Sequence, residues 1–162
     1  MFIIPNSIDP EECQALADRL SQHWQTSRDR GIEATGFDAG ARTVPITNEA
    51  LCDRVKCLIE SQIRVRLTLS SAELSIWPTI SPGSPLHRHD WNGRESTDYN
   101  SVLYLNEDFA GGQFYTDTGI TVKPKTGTLT FFDGQNIMHG VRPTLKNNRC
   151  TAIFWWRDTE WY

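Results

Sequence analysis

Hydrophobic residues recur every three to four positions in the first third of the chain, the spacing of one buried helix face. The segment Asp9-Pro10-Glu11-Glu12 combines an N-cap acceptor, a proline at the first helical position and a glutamate at the third, which together mark a helix start. The apolar positions that follow should form a single buried stripe: Cys13, Leu16, Ala17, Leu20 and Trp24. The pattern therefore predicts an amphipathic helix that begins near Asp9.

A second helix is predicted from about Asn48 to Gln62, because apolar residues again return at helical spacing. Its inner face should carry four of them: Leu51, Val55, Leu58 and Ile59. Residues 31–44 separate the two helices as a glycine-bearing loop, which we interpret as a flap over the functional site.

The hydrophobic period changes from about Val65 onward, where apolar and polar residues begin to alternate as in strands. Short strand-like segments with glycine and proline between them continue to the C-terminus. Helices followed by many short strands indicate an α+β fold whose core is a β-sandwich or barrel. With 162 residues, we expect residues 1–162 to form one domain with one sizeable core.

Composition and net charge argue against some classes of partner. Charged residues make up 22% and hydrophobic residues 38% of the chain, as in ordinary soluble proteins. The net charge of −4 argues against a nucleic-acid partner, which would favour a basic face. No apolar run has the length of a membrane span or a signal peptide, so we expect no membrane contact and a cytoplasmic location.

Four cysteines are present, and without a secretion signal we expect reduced thiols rather than disulfides. Cys52 and Cys57 are five residues apart on the second predicted helix, which is not the spacing of a zinc knuckle. We therefore expect both to be buried structural residues, since free cysteine is among the most buried residue types.

Candidate chemistry is concentrated in the last quarter of the chain. His139 opens His139-Gly140-Val141, and Arg149 follows ten residues later at the start of an apolar strand. If residues 142–148 form a short turn between two antiparallel strands, the imidazole and the guanidinium point into one cavity. Such a pair suits a metal that must hold a dicarboxylate.

Several short motifs accompany this pair in a fixed order. They are Tyr104-Leu105-Asn106, Gly111-Gly112, Pro124-x-x-Gly127, His139-Gly-Val-x-Pro143, Arg149 and Trp155. In this order they resemble the prolyl-hydroxylase branch of the Fe(II)/2-oxoglutarate oxygenases, which includes leprecan-type and prolyl 4-hydroxylase members. The resemblance extends from about Ile80 to Trp156. It implies a double-stranded β-helix, or jelly roll, with the N-terminal helices packed on one sheet.

The resemblance also implies an iron site of two histidines and one carboxylate. In the family five residues separate a glycine from the histidine of His-x-Asp; Gly83 and His89 fit this frame, and His139 supplies the second histidine. Trp91 occupies the position of the carboxylate and cannot ligate iron.

Three arrangements would complete the iron site. Asp90 could reach the metal through a bulge or turn, which are frequent near active sites. His87 could form a three-histidine site because it lies two residues before His89, on the same strand face. A water could take the remaining position. We rank Asp90 first and His87 close behind, and a frame shifted to His87 plus Asp90 also stays open.

For 2-oxoglutarate, the resemblance assigns the distal carboxylate to Arg149 and Tyr104, and Trp155 to a wall of the same pocket. A fixed fork of donors suits a carboxylate better than a point charge does. Arg88, Trp91 and Arg94 follow the first histidines toward the expected mouth, where they would contact an acidic or planar substrate.

The function implied is an Fe(II)- and 2-oxoglutarate-dependent dioxygenase that uses O2 to hydroxylate an amino-acid residue, prolyl by similarity, or a small metabolite. Two alternatives stay open. One is a cupin-type dioxygenase that binds metal through His87, His89 and His139 without 2-oxoglutarate. The other is a non-catalytic binding domain on the same barrel, which the Trp91 substitution makes conceivable.

Overall fold

The computed structural model describes residues 1–29, 41–89 and 98–159, and the side chains of residues 27–29 are not described. Two helices lie in these ranges: α1 Pro10–Asp29 and α2 Glu49–Glu60. The strands are β1 Phe2–Ile4, β2 Arg42–Pro45, β3 Leu67–Trp77, β4 Ser84–His87, β5 Tyr99–Tyr104, β6 Ala110–Gly111, β7 Phe114–Thr116, β8 Thr121–Val122, β9 Leu129–Asp133, β10 His139–Val141, β11 Thr144–Lys146 and β12 Arg149–Asp158.

Both helices begin where the sequence predicts. The Asp9 carboxylate accepts a hydrogen bond from the Glu11 N–H at 2.8 Å, which satisfies one of the free donors of the first turn. The side chain of Asn48 accepts from the Leu51 N–H at 3.2 Å and does the same for α2. The predicted stripe of α1 is buried, apart from Trp24, which is partly buried.

Six antiparallel strands form the major sheet, in the order β1-β9-β5-β12-β3-β2. One face of this sheet is apolar and packs against both helices to form the larger hydrophobic core. On β12 that face carries the alternate residues Cys150, Ala152, Phe154 and Trp156, all buried. The opposite face, which begins with Arg149 and Thr151, is turned away from the helices.

A minor sheet of four strands, in the order β4-β10-β7-β8, covers that opposite face. A second hydrophobic core joins the two sheets, and its buried members are Val102, Tyr104, Phe114, Val122 and Phe132. The rings of Phe114 on the minor sheet and Phe132 on the major sheet are 4.9 Å apart. The predicted jelly roll with helices on one sheet is therefore confirmed.

Three expectations need correction. The strands that carry His139 and Arg149 do not form a hairpin, because β10 belongs to the minor sheet and β12 to the major sheet. The segment between them contains β11, which pairs with β6. The predicted flap is interrupted by β2, which pairs with β3, while residues 30–40 lie outside the described ranges. Cys57 is exposed, since it lies on the outer side of α2.

Among the described residues, no helix combines the length and apolarity needed to cross a membrane. The single domain over residues 1–162, the cytoplasmic location and the lack of a nucleic-acid partner stay predictions.

Candidate metal and co-substrate site

The fold brings three histidines together between the two sheets. His87 ends β4 and lies directly opposite His139 at the start of β10. His89 follows β4, where its backbone N–H donates to the Gly134 carbonyl at 2.9 Å. The ligand nitrogens of the three side chains all lie within 4.8 Å of one another. This is a cluster of the size that one metal ion occupies.

Hydrogen bonds fix the tautomers of these rings. The Nδ1 atom of His139 lies 2.8 Å from the Ile137 carbonyl, and Nδ1 of His87 lies 2.9 Å from the Pro85 carbonyl. A carbonyl can only accept, so each Nδ1 carries the proton and each Nε2 keeps its lone pair. The Nδ1 atom of His89 likewise faces the side-chain oxygen of Asn100 at 2.7 Å. Metal-binding histidines are held in this way.

The Nε2 atoms of His89 and His139 are 3.2 Å apart. With the protons on Nδ1, two lone pairs face each other at this distance and repel. A cation between them removes the repulsion, and two nitrogens at about 2.1 Å from one metal at a right angle lie about 3 Å apart. Imidazole suits Fe, Zn, Cu and Ni. The cluster thus fits a divalent transition metal.

Burial keeps His139 in the neutral form that ligates metals. The residue is only 5% exposed, and its ring lies 4.6 Å from Phe132 and 5.6 Å from Phe114. The pKa of His139 is lowered to about 3, mainly by burial; His89 and His87 act in the same direction, while the hydrogen bond to Ile137 opposes the shift.

Two residues of this cluster were missed by the sequence interpretation. Asn100 is buried on β5 and holds His89, although it lies in a strand segment that is otherwise mostly apolar. Gly134 leaves space for this pair, because a Cβ atom there would clash with the Asn100 oxygen and approach His89 Nδ1 to 2.8 Å. The only sign of this role in the sequence is an asparagine within the strand-like run that begins at Tyr99.

Arg149 is buried with its charge unpaired. The residue is 2% exposed, its Nε has no hydrogen-bond partner, and no carboxylate among the described residues forms an ion pair with it. Its Cζ atom lies 5.2 Å from the ring centre of Tyr104 and 5.9 Å from that of Trp77. Burial lowers the pKa of Arg149, and the neighbouring Tyr104 opposes that shift.

The hydroxyl of Tyr104 is also buried without a partner of good hydrogen-bond geometry. Burial raises the pKa of Tyr104, although Arg149 and Thr130 are close enough to act in the opposite direction. Isolated buried charges are costly and are normally paired. A neutral phenol and an unpaired guanidinium side by side fit the carboxylate of a bound ligand.

Gly112 makes room for the arginine. A Cβ atom at this position would lie 2.9 Å from Cδ of Arg149, so the aliphatic part of that side chain passes directly over the glycine. The φ angles of Gly111 and Gly112 are +74° and +64°, as expected for turn residues. The Gly-Gly motif therefore shapes the turn and also clears space for Arg149.

Of the remaining predicted residues, Trp155 is half-buried on the same face of β12 as Arg149 and lies opposite Asn100. Arg88 is exposed and next to the histidine cluster in the chain. Asp90, Trp91 and Arg94 lie outside the described residues, so their predicted roles stay predictions.

The family model of the 2OG-Fe(II) oxygenase superfamily matches residues 77–157, which include the three histidines and Arg149. Human prolyl 3-hydroxylase 2 is 37% identical over 65 residues, a match that covers 36% of this chain and 9% of that protein. The chain therefore corresponds to only a small part of this longer relative.

Solved structures share the fold. A prolyl-4-hydroxylase from Pseudomonas putida superposes with a TM-score of 0.74 at 18% identity and covers 98% of this chain and 92% of its own. A Trichoplax adhaerens prolyl hydroxylase in complex with a hypoxia inducible factor peptide fragment gives 0.75 at 19% identity, over 97% and 83%. The predicted family is confirmed, a family that uses Fe(II) as its metal and 2-oxoglutarate and O2 as co-substrates: the chain belongs to the 2OG-Fe(II) oxygenase superfamily.

Proposed function

We propose that this chain is an Fe(II)- and 2-oxoglutarate-dependent dioxygenase that hydroxylates a prolyl residue in a peptide. One observation carries the proposal. Three imidazoles with converging ligand nitrogens, and a buried guanidinium with no carboxylate partner among the described residues, lie on facing inner surfaces of the same sandwich. Together they offer ligands for a metal and a counter-charge for the far end of a dicarboxylate bound to it.

For the metal, we assign His89 and His139, with His87 as the third ligand. His87 is favoured over Asp90 because its ring lies 4.5 Å from that of His139 and its Nδ1 proton is already engaged by Pro85. Three neutral ligands leave the full charge of the metal ion to be balanced by bound anions. A dicarboxylate co-substrate supplies such charge.

For the co-substrate, Arg149 and Tyr104 would hold the distal carboxylate, with Trp155 lining the pocket. When bound, iron and 2-oxoglutarate together activate O2, so that one oxygen atom enters a C–H bond of the substrate while succinate and CO2 are released. The protein positions these groups and keeps water out. Phe114 and Phe132 pack beside the His139 ring and, with Val102, belong to the apolar core between the two sheets, which serves this purpose.

The substrate class rests on the relatives, whose names state prolyl 3-hydroxylase and prolyl-4-hydroxylase activity. One of the similar structures contains a bound peptide fragment. A proline within a peptide is therefore the first substrate to test, and free proline or another small metabolite is the second. Arg88, which is exposed and lies between His87 and His89 in the chain, would contact an acidic group next to the target residue.

The two alternatives are not favoured. A cupin-type dioxygenase without co-substrate would use the three histidines but would have no need for a buried unpaired arginine beside Tyr104. A non-catalytic binding domain would not require three imidazoles with fixed tautomers. Succinate release that depends on O2 separates the proposed activity from both.

The test uses purified protein reconstituted with Fe(II) and 2-oxoglutarate under anaerobic conditions and then exposed to O2. We expect succinate formation, and a proline-containing peptide should gain the mass of one oxygen atom. His139→Ala should lose both iron binding and turnover. Full iron occupancy and activity in His139→Ala would refute the assignment of the metal site.

The third ligand is resolved by a matched pair of variants, His87→Ala and Asp90→Ala. We expect His87→Ala to weaken Fe(II) binding strongly and Asp90→Ala to leave it near wild type. The reverse outcome would identify Asp90 as the ligand and remove His87 from the metal site.

A further inference from the structure

Within the described part of the chain, five buried polar groups without hydrogen-bond partners lie next to one another on the inner face of the major sheet. They are Arg149 Nε, the Tyr104 hydroxyl, the Trp77 indole N–H and the hydroxyls of Ser75 and Thr151. The strand register explains their proximity: Arg149 is opposite Trp77, and Thr151 is opposite both Ser75 and Tyr104. All five residues are at most 4% exposed.

Such a group is unusual in a folded protein. More than about nine in ten buried polar groups have a partner, and an isolated exception costs roughly 1–3 kcal/mol. Here five unpaired groups, one of them a cation, lie at the neighbouring register positions of Arg149 and Thr151. Together they indicate a pocket for an anion that would accept their hydrogen bonds. Arg149 and Tyr104 account for only two of the five.

We propose that Trp77 is a binding residue for 2-oxoglutarate, whose indole N–H donates to the distal carboxylate beside Arg149 and Tyr104. This inference rests on the proposed function and adds a residue to its co-substrate site. Trp77 is 4% exposed, and its ring flanks the Arg149 guanidinium on β3 while Tyr104 flanks it on β5. The carboxylate would thus meet donors from three adjacent strands.

Trp77 is a stronger candidate than the two hydroxyls. Ser75 and Thr151 lie directly opposite each other, so a change of side-chain rotamer at either residue can pair their hydroxyls without a ligand. The indole N–H is a donor only, its direction is fixed by the ring, and buried tryptophans usually find an acceptor for it. Its missing acceptor therefore has to come from the ligand.

The test compares two ligands on the Fe(II)-loaded protein under anaerobic conditions. They are 2-oxoglutarate and 2-oxopentanoate, which has the same chain length but a methyl group in place of the distal carboxylate. The measured quantity is the dissociation constant of 2-oxopentanoate divided by that of 2-oxoglutarate. This ratio isolates the carboxylate interaction, because a packing defect weakens the binding of both ligands. We expect Trp77→Phe to lower this ratio about tenfold or more, the size of a hydrogen bond to a charged group.

Trp156→Phe is the matched control. The Trp156 indole donates to Ser101 at 2.9 Å in the core on the helix side, so its loss should leave the ratio unchanged. A wild-type ratio near one would refute the carboxylate site of the proposed function itself. A high wild-type ratio that Trp77→Phe preserves would overturn the role of Trp77 alone.

A second measurement needs no variant that might misfold. The chain has six tryptophans, so the wild-type protein labelled with 15N-tryptophan and loaded with Zn(II) gives six indole N–H signals to assign. We expect the Trp77 signal to move downfield with 2-oxoglutarate and to stay in place with 2-oxopentanoate. A Trp77 signal that responds equally to both ligands would also overturn the inference.

Discussion

Arg149 shows how much one side chain contributes to the proposed reaction. No carboxylate in the described part of the chain pairs with its buried guanidinium, so the co-substrate is expected to complete the ion pair. Arg149→Ala should weaken 2-oxoglutarate binding by roughly 2 to 4 kcal/mol, as for other truncated buried pairs. That equals about one and a half to three orders of magnitude in the dissociation constant, measured by anaerobic titration of the Fe(II) protein.

Two further variants show whether the loss of binding is specific to the Arg149 guanidinium. Arg149→Lys should rescue binding only in part, because a point charge replaces a fork of donors. Arg66→Ala removes the same charge from a side chain that is 81% exposed and should leave the affinity unchanged. Iron binding should survive in all three variants. An Arg149→Ala protein that binds 2-oxoglutarate as tightly as wild type would place the dicarboxylate elsewhere.

Asn100 and Gly134 are expected to act through His89. Asn100 holds the ring at 2.7 Å, and Gly134 leaves room for both side chains. Asn100→Ala or Gly134→Ala should each reduce Fe(II) affinity about tenfold to a hundredfold, the usual effect of losing a hydrogen bond to a metal ligand. Metal competition with a chromogenic chelator measures this directly.

Gly119→Ala is a useful comparison for Gly134→Ala. Gly119 has a φ of +86° but no atom within 4 Å of its missing Cβ. The substitution should cost some stability through backbone strain and leave Fe(II) affinity intact. Equal Fe(II) affinities for Gly134→Ala and Gly119→Ala would contradict the positioning role of Asn100.

Some of these residues could be predicted from the sequence and others could not. Spacing along the chain is enough to identify His89, His139 and Arg149 as candidates. The roles of Asn100, Gly134 and Trp77 depend on contacts between residues far apart in the chain. Such contacts follow from the register of paired strands, and a register is a tertiary property that local spacing does not determine.

At the scale of single elements, α1 illustrates what amphipathic packing contributes. Leu20 is 1% exposed and contributes to the core between α1 and the major sheet. Leu20→Ala should lower the free energy of unfolding by about 2–5 kcal/mol, because it removes buried methyl groups and leaves a cavity. Gln22→Ala, on the exposed side of the same helix, should change it by less than about 0.5 kcal/mol. Urea denaturation of both variants would show whether the buried side of α1 was identified correctly.

Elements with strong local signals were predicted well. The N-caps Asp9 and Asn48 and the apolar spacing behind them located both helices. The hairpin expected between His139 and Arg149 was wrong because a turn between two strands does not determine which strands pair. In a sandwich, consecutive strands can belong to opposite sheets, and the intervening residues formed β11 instead.

At the scale of the whole molecule, the two faces of the major sheet have separate roles. Cys150, Ala152 and Phe154 pack on the helix side, whereas Arg149 and Thr151 face the minor sheet. Because neighbouring residues of a strand point to opposite sides, one strand contributes both to the core and to the site. Substitutions on the helix side should therefore change stability more than ligand affinity.

The reactivity of the four cysteines provides a test of the helix-side core. Cys13, Cys52 and Cys150 are buried on the helix side, and Cys57 is exposed on α2. The thiolate is the reactive form, and burial raises the pKa of Cys13 and Cys150 to about 11 and also raises that of Cys52. A disulfide reagent at about pH 8 should therefore modify one thiol rapidly in the native protein and all four after denaturation. Rapid modification of three or four native thiols would contradict the packing of the helices on the sheet.

The same thiols predict how stability depends on alkaline pH. A thiol whose pKa is raised in the folded state ionises first in the unfolded chain, so its burial stabilises the fold fully below the ordinary thiol pKa of 9.0. That contribution is lost as the pH rises toward about 11, the folded-state value for Cys13 and Cys150. The free energy of unfolding should therefore fall over this range, and it should fall less steeply in Cys150→Ala, which has one buried thiol fewer. Tyrosines and lysines titrate in the same range in both proteins, so the difference between the two curves isolates Cys150. Parallel curves would show that its thiol ionises equally easily in the folded and unfolded chains, and hence that the helix-side core is more open to water than its packing indicates.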